Sequence, residues 1–272
     1  MNLVMIMKKL SAKYLIFIIP TIAFIVLVFT TRFNIGISPD SIRYISAAQF
    51  INEFGELRSI HKGLPLEYMT HFPPVVSIML WLINFFTNNL YDAFVLLNAV
   101  SIFAFLLSIA LVYKTKLNTI SLVVLQLLVM INMEFFALYE MAWSEPLFIV
   151  LSFVGLYYLN LFVNKLNTKH LIISALIISV ATITRYVGIF LIASSVLYLW
   201  LLLRHNKIWY TLKQIFIFGI ISSSGFLYWM LRNIILSNNA TNREISFHLM
   251  SIDYYKEWLL TTSNYFTGFS TS

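Results

Sequence analysis

No cysteine occurs among the 272 residues, which removes disulfides, thiolate metal sites and cysteine nucleophiles from consideration. Charge is scarce too: Asp, Glu, Lys and Arg together make up 11% of the chain, and the acids number only 11. There is no separate polar domain, no internal repeat and no low-complexity tract. Nor is there a basic-aromatic patch on a soluble domain, so the formal charge of +7 does not read as a nucleic-acid signal. Lys8, Lys9 and Lys13 precede an apolar run at 14–29 in the manner of a signal sequence. That run is long for a signal segment and no small-x-small cleavage site follows it, so it reads as a retained first span.

What the chain does have is apolar length. Hydrophobic residues make up 60% of it, with mean hydropathy +0.84, and this implies an all-α polytopic membrane protein built as one transmembrane domain over 1–272. Further runs lie at 93–113, 119–133, 146–164, 170–184, 186–203 and 212–231. A shorter one, 73–86, falls below the roughly 20 residues that a span takes. Charge decides its status. If 73–86 does not cross and the N-terminus is cytoplasmic, Lys8, Lys9, Lys13, Lys114, Lys116, Lys165, Lys169, Arg204, Lys207 and Lys213 all lie inside, and all eleven carboxylates lie outside. If it does cross, seven basic residues remain inside against eleven outside. The positive-inside rule selects the first arrangement. The expectation is therefore seven spans, a juxtamembrane or re-entrant segment at 73–86, a first exoplasmic loop at 31–92 with interfacial helices, and an exoplasmic tail at 232–272.

The unusual polarity then gathers on the outer face. Ser38-Pro39-Asp40 reads as a capped helix start with Asp40 in its first turn, running to about Phe54 before Gly55. Tyr44, Ala47, Ala48 and Ile51 fall on one apolar stripe, with Arg43, Ser46, Gln49 and Glu53 polar, a pattern that suits a helix in the membrane interface. Asp40 is either a working carboxylate or a complement to the helix dipole. In His71-Phe72-Pro73-Pro74 the prolines start the short apolar segment and hold His71 at its mouth. That imidazole is suited to a phosphate, a metal or a substrate hydroxyl, or simply to the interface; no second histidine stands at ligand spacing. Ser144-Glu145-Pro146 repeats the pattern of serine cap, first-turn acid and proline on the same side. Paired carboxylates there can share proton transfer or hold a divalent cation against a phosphate. Residues 171–203 are too long for one span at about 1.5 Å per residue, so they form a hairpin with Arg185-Tyr186 at the outer turn. Arg185 there either pairs with an anion or snorkels. Arg232-Asn233, Arg243 and His248 add cationic groups to this side.

At these residues the chain resembles the GT-C class of integral-membrane glycosyltransferases, in particular relatives of protein O-mannosyltransferases and the lipid A aminoarabinose transferase. The resemblance covers nearly the whole chain. It rests on Ser38-Pro39-Asp40-Ser41-Ile42-Arg43-Tyr44, His71-Phe72-Pro73-Pro74, Ser144-Glu145-Pro146-Leu147-Phe148, Arg185-Tyr186-Val187-Gly188, Arg232-Asn233, Thr241-Asn242-Arg243 and Phe247-His248, in that order. Each piece is short; their order and placement relative to the spans carry the likeness. It implies a sugar transferred from a polyprenyl-phosphate donor to a lipid, glycan or protein acceptor at the outer face of the cell membrane. Asp40 would be general base and Glu145 the acid of the second loop. Arg185 and Arg243 would contact the donor phosphate, with Arg43, Tyr44, His71, Tyr186 and His248 as further binding residues. The second loop carries Ser-Glu-Pro in place of a paired-aspartate motif, so metal dependence does not carry over; a divalent cation, if used, would sit on Asp40 and Glu145. Members of the class continue for several more spans, so the tail is expected to be truncated relative to them. The competing reading is a non-catalytic membrane protein: a transporter, a lipid-handling subunit or an inactive relative. Polar groups crowded on one surface count against transport, which favours ionisable groups near mid-bilayer.

Overall fold

The computed structural model describes residues 14–61, 64–241 and 251–267. They divide into two compact units, Met1–Thr241 and Asn242–Ser272. In the first, α1 (Ile18–Thr30) leads to α2 (Pro39–Phe54), a two-stranded hairpin of β1 (Arg58–His61) and β2 (Leu64–Tyr68), and α3 (Val75–Thr87). Then follow α4 (Leu90–Tyr113), α5 (Thr119–Met130), α6 (Met133–Tyr139), α7 (Glu145–Lys165), α8 (Thr168–Thr182), α9 (Gly188–Leu203) and α10 (Ile208–Ser237). The strands run antiparallel, pairing Arg58 with Tyr68 and Ser59 with Glu67. The second unit carries α11 (Ile252–Thr267), with Tyr254, Tyr255 and Trp258 exposed.

The fold is nearly all helical. By length and composition α4, α7 and α10 can cross a membrane, and α5 with α6, bent by 72°, makes a fourth if the pair counts as one span. The shorter apolar helices α1, α3, α8 and α9 have 13, 13, 15 and 16 residues. At about 1.5 Å per residue they reach about 20–24 Å against a hydrocarbon core of about 30 Å. Large apolar side chains are exposed on α9 (Phe190) and α10 (Phe216, Tyr228 and Ile235), an outward surface compatible with lipid.

Three apolar clusters hold the first unit together. Tyr44, Ala47, Met69, Phe72, Val76, Leu80 and Phe94 join α2, α3 and the start of α4. Ala23, Leu27, Ile102, Leu106 and Tyr139 join α1, α4 and α6. Leu159, Phe162, Ala175, Ile178, Leu199 and Phe218 join α7 to α10. Where α7, α8 and α10 meet, small residues let the backbones approach: Ser174 donates to Gly155 O at 2.7 Å and Gly225 N–H to Ser179 Oγ at 3.1 Å. Such packing matters more in lipid, where apolar side chains gain little by touching each other instead of acyl chains.

Local sequence explains α2. Ser38 and Ser41 exchange hydrogen bonds in a capping box, Ser38 N–H to Ser41 Oγ at 2.9 Å and Ser41 N–H to Ser38 Oγ at 3.4 Å. Pro39 takes the first position, where no amide is needed, and Gly55 closes the helix in the left-handed region at φ +70. The buried stripe is wider than the expected one. Ser46 belongs to it, because β1 covers that face and Ile60 N–H donates to Ser46 Oγ at 3.4 Å.

Candidate functional site

The loop after α1 and the loop before α7 meet in a single parallel bridge, Gly36 to Met141. Gly36 N–H donates to Glu140 O and Ala142 N–H to Gly36 O, both at 2.8 Å. A Cβ at Gly36 would overlap the Met141 thioether and sit 3.2 Å from Glu140 O, so a larger residue here would have to push the Met141 side chain aside. From α4, the buried Asn98 amide clamps the second loop, donating to Tyr139 O and Met141 O at 2.8 Å each. Trp143 Nε1–H reaches across to Ser38 Oγ at 2.9 Å.

These contacts bring the two helix mouths together. A cleft of about 270 Å³ is lined by Ser38, Pro39, Asp40, Tyr44, Trp143, Ser144 and Glu145. Asp40 is exposed at its edge, and its carboxylate has no side-chain hydrogen bond or ion pair among the described residues. Capping of α2 falls to Ser38, which leaves the Asp40 oxygens open. Glu145, about one-third exposed, pairs with Arg185 Nη1. The same nitrogen donates to Ser144 Oγ at 3.1 Å, and Tyr44 OH donates to that oxygen at 3.3 Å. Ser144 does not cap α7 as Ser38 caps α2: its backbone is already helical, at φ −84 and ψ −13, and its hydroxyl turns to Tyr44 and Arg185 instead. Burial pushes the Tyr44 phenol up to about 12, partly offset by Ser144 and Arg185, while Asp40 and Glu145 raise it further. Tyr44 therefore stays a neutral donor at any physiological pH.

Arg185 stands where the sequence placed it, in the turn between α8 and α9. Its N–H donates to Ala181 O at 3.0 Å, and Gly188 N–H donates to Arg185 O at 2.9 Å. A Cβ at Gly188 would lie 2.6 Å from Thr182 Cα, so the turn can be this tight only with glycine there.

The other expected residues are arranged around this core. Phe72 packs edge-on against Tyr44 at 5.4 Å and lies under the Arg43 guanidinium at 5.1 Å. His71 packs edge-on against Phe72 at 4.9 Å, one ring removed from the cleft residue Tyr44. Tyr186 faces away, donating to Thr70 O at 3.2 Å and accepting from Trp229 Nε1–H at 3.0 Å. Arg243 and His248 lie outside the described residues. Among the described residues no three His, Asp or Glu side chains converge as a metal site. A hard cation held by Asp40 and Glu145 would take its remaining oxygens from water or from a phosphate.

Sequence reasoning missed Gly36, Asn98, Trp143 and the role of the Ser144 hydroxyl. Only Asn98 left a trace, as a lone amide within a long apolar run that must find partners once buried. Asn98→Ala is expected to lower the thermal midpoint of the purified protein. Tyr139 O would lose its donor, at about 1–3 kcal/mol for a buried group left unsatisfied, while Met141 O keeps the Trp143 N–H at 2.8 Å. An unchanged midpoint would show that the clamp does not hold the second loop.

In comparisons with family models, curated proteins and solved structures, nothing matches this chain.

Proposed function

We propose that the chain is a GT-C-like glycosyltransferase that moves a sugar from a polyprenyl-phosphate donor to an acceptor hydroxyl at the exoplasmic face of the membrane. The observation that supports this is the convergence of an unengaged carboxylate, Asp40, with the Glu145–Arg185 pair at one cleft. In the proposed step Asp40 accepts the acceptor's hydroxyl proton as that oxygen bonds to the anomeric carbon. The bond from that carbon to the phosphate oxygen breaks, and the polyprenyl phosphate leaves with the electron pair. Arg185 stabilises the charge gathering on the phosphate. Glu145 holds Arg185 in place until the donor arrives, and Tyr44 and Ser144 fix the geometry of both. A different reading, a structural ion pair in a non-catalytic lipid-handling protein, draws on the same pairing of Arg185 with Glu145. Incubating the purified full chain with polyprenyl-phosphate sugars separates the two: release of the lipid phosphate supports transfer, and its absence across donors and acceptors supports the other.

The reading requires the cleft to face outward. We place the N-terminus in the cytoplasm and the tail outside, with seven spans that include the shorter helices α1, α8 and α9, and α3 lying at the surface. Because the chain has no cysteine of its own, single cysteines report topology cleanly. Asn118→Cys and Asn167→Cys should resist an impermeant thiol reagent added outside intact cells, and Asn242→Cys should react. Labelling of position 118 from outside would overturn this topology.

A further inference from the structure

A second cleft, of about 480 Å³, opens between α2, α3 and the end of α10. It shares no lining residue with the Asp40 cleft among the described residues. Its size falls in the range of roughly 300–1,000 Å³ typical of small-ligand sites. Ile51, Ile78, Trp81 and Leu236 make its walls apolar, and Arg232 supplies a guanidinium.

Arg232 is unusual in how it is held. Its Nη1 donates to Met69 O at 2.8 Å and Asn233 Oδ1 at 3.0 Å, and its Nη2 to Leu57 O at 3.4 Å. Its carbon centre lies 4.5 Å from the Trp229 ring and 5.9 Å from that of Tyr68. Every one of these partners is neutral. Among the described residues no carboxylate forms an ion pair with it, and the acid in the wall, Glu56, is taken by Arg58 Nε at 2.7 Å. The three bonds use three of the five N–H groups of a guanidinium, leaving Nε and one Nη2 hydrogen for a further acceptor. A half-buried cation locked by neutral groups beside an apolar wall lacks one component, an anion carrying a hydrocarbon chain.

We infer that this cleft binds a phosphate-headed lipid, its phosphate on Arg232 and its chain along Ile78, Trp81 and Leu236. The lipid held here is not the reacting molecule, since both acids of the proposed transfer line the other cleft. The inference stands whether or not the chain transfers sugars.

The test uses the full chain in neutral maltoside micelles, titrated with dodecyl phosphate and read by the shift in thermal midpoint. Dodecyl phosphate should raise the midpoint saturably, and inorganic phosphate at equal concentration should not. Arg232→Gln should weaken the apparent affinity by at least about tenfold, as befits loss of a charge-assisted hydrogen bond. Should that variant fail to fold, Leu236→Trp decides: it fills the cleft from its exposed edge, leaves the Arg232 contacts intact, and should weaken binding equally. Arg185→Gln, which removes the guanidinium assigned to the donor phosphate, should keep the Arg232-dependent binding of dodecyl phosphate. Equal affinity in wild type and Leu236→Trp would overturn the site. An equal response to inorganic phosphate would show an anion site without a lipid requirement, and lost binding in Arg185→Gln with none lost in Arg232→Gln would move the lipid to the other cleft; either result defeats the proposal.

Discussion

Asp40→Asn should reduce sugar transfer by about 10²–10⁴-fold, the usual contribution of a positioned general base. The fold should barely notice. Asparagine has nearly the same size, Ser38 and Ser41 carry the cap of α2, and the lost carboxylate gives up at most its attraction to the helix dipole, about 0.3–1 kcal/mol. The alternative role for Asp40, complementing the dipole alone, forecasts the reverse: a small loss of stability and no loss of transfer. Initial rates with saturating acceptor, measured beside thermal midpoints, distinguish the two. Transfer that survives in the asparagine variant would remove Asp40 from the mechanism.

Arg185 is the second position where a large effect is expected. Its Nη1 is committed to Glu145 and to Ser144 Oγ, which leaves the Nη2 and Nε edge of the planar group for a phosphate. A lysine has one nitrogen and must choose between those partners and the donor. Arg185→Ala should therefore lower the transfer rate by about 10²–10³-fold, with Arg185→Lys recovering only a small part of it. Both variants should insert and fold, because the pair is about one-third exposed and such pairs contribute roughly 0–1 kcal/mol. Donor affinity completes the test. If lysine binds the donor as well as arginine and only alanine fails, charge alone is required; equal affinity in all three ends the phosphate role.

The sequence made legible whatever short-range chemistry determines. The start and stop of α2 follow from Ser38, Pro39 and Gly55, whose effects are confined to their own turn of chain. Arg185 at a hairpin turn follows from the length of the apolar stretch around it. Ser144 shows where local reading stops. It sits before an acid and near a proline just as Ser38 does, yet its hydroxyl serves residues 100 and 41 positions away, and no local pattern encodes those partners. Gly36 is similar: its value depends on Met141, a partner more than a hundred positions away in the chain. The number of spans was legible only coarsely. Apolar composition marks the runs, but where each helix breaks depends on turns and on neighbours. Three to four helices are long enough to cross by length and composition, and several other runs fold into shorter ones.

The bridge between Gly36 and Met141 bears on timing as well as shape. The two loops are joined through both backbone partners at 2.8 Å and again by Trp143 to Ser38, and Asn98 ties the second of them to α4. In the proposed transfer, the ligands would therefore meet Asp40 and Glu145 at a separation already set, and would spend none of their binding free energy on assembling them. Slow steps in turnover would then lie in the entry and exit of the ligands and not in closure of this loop pair.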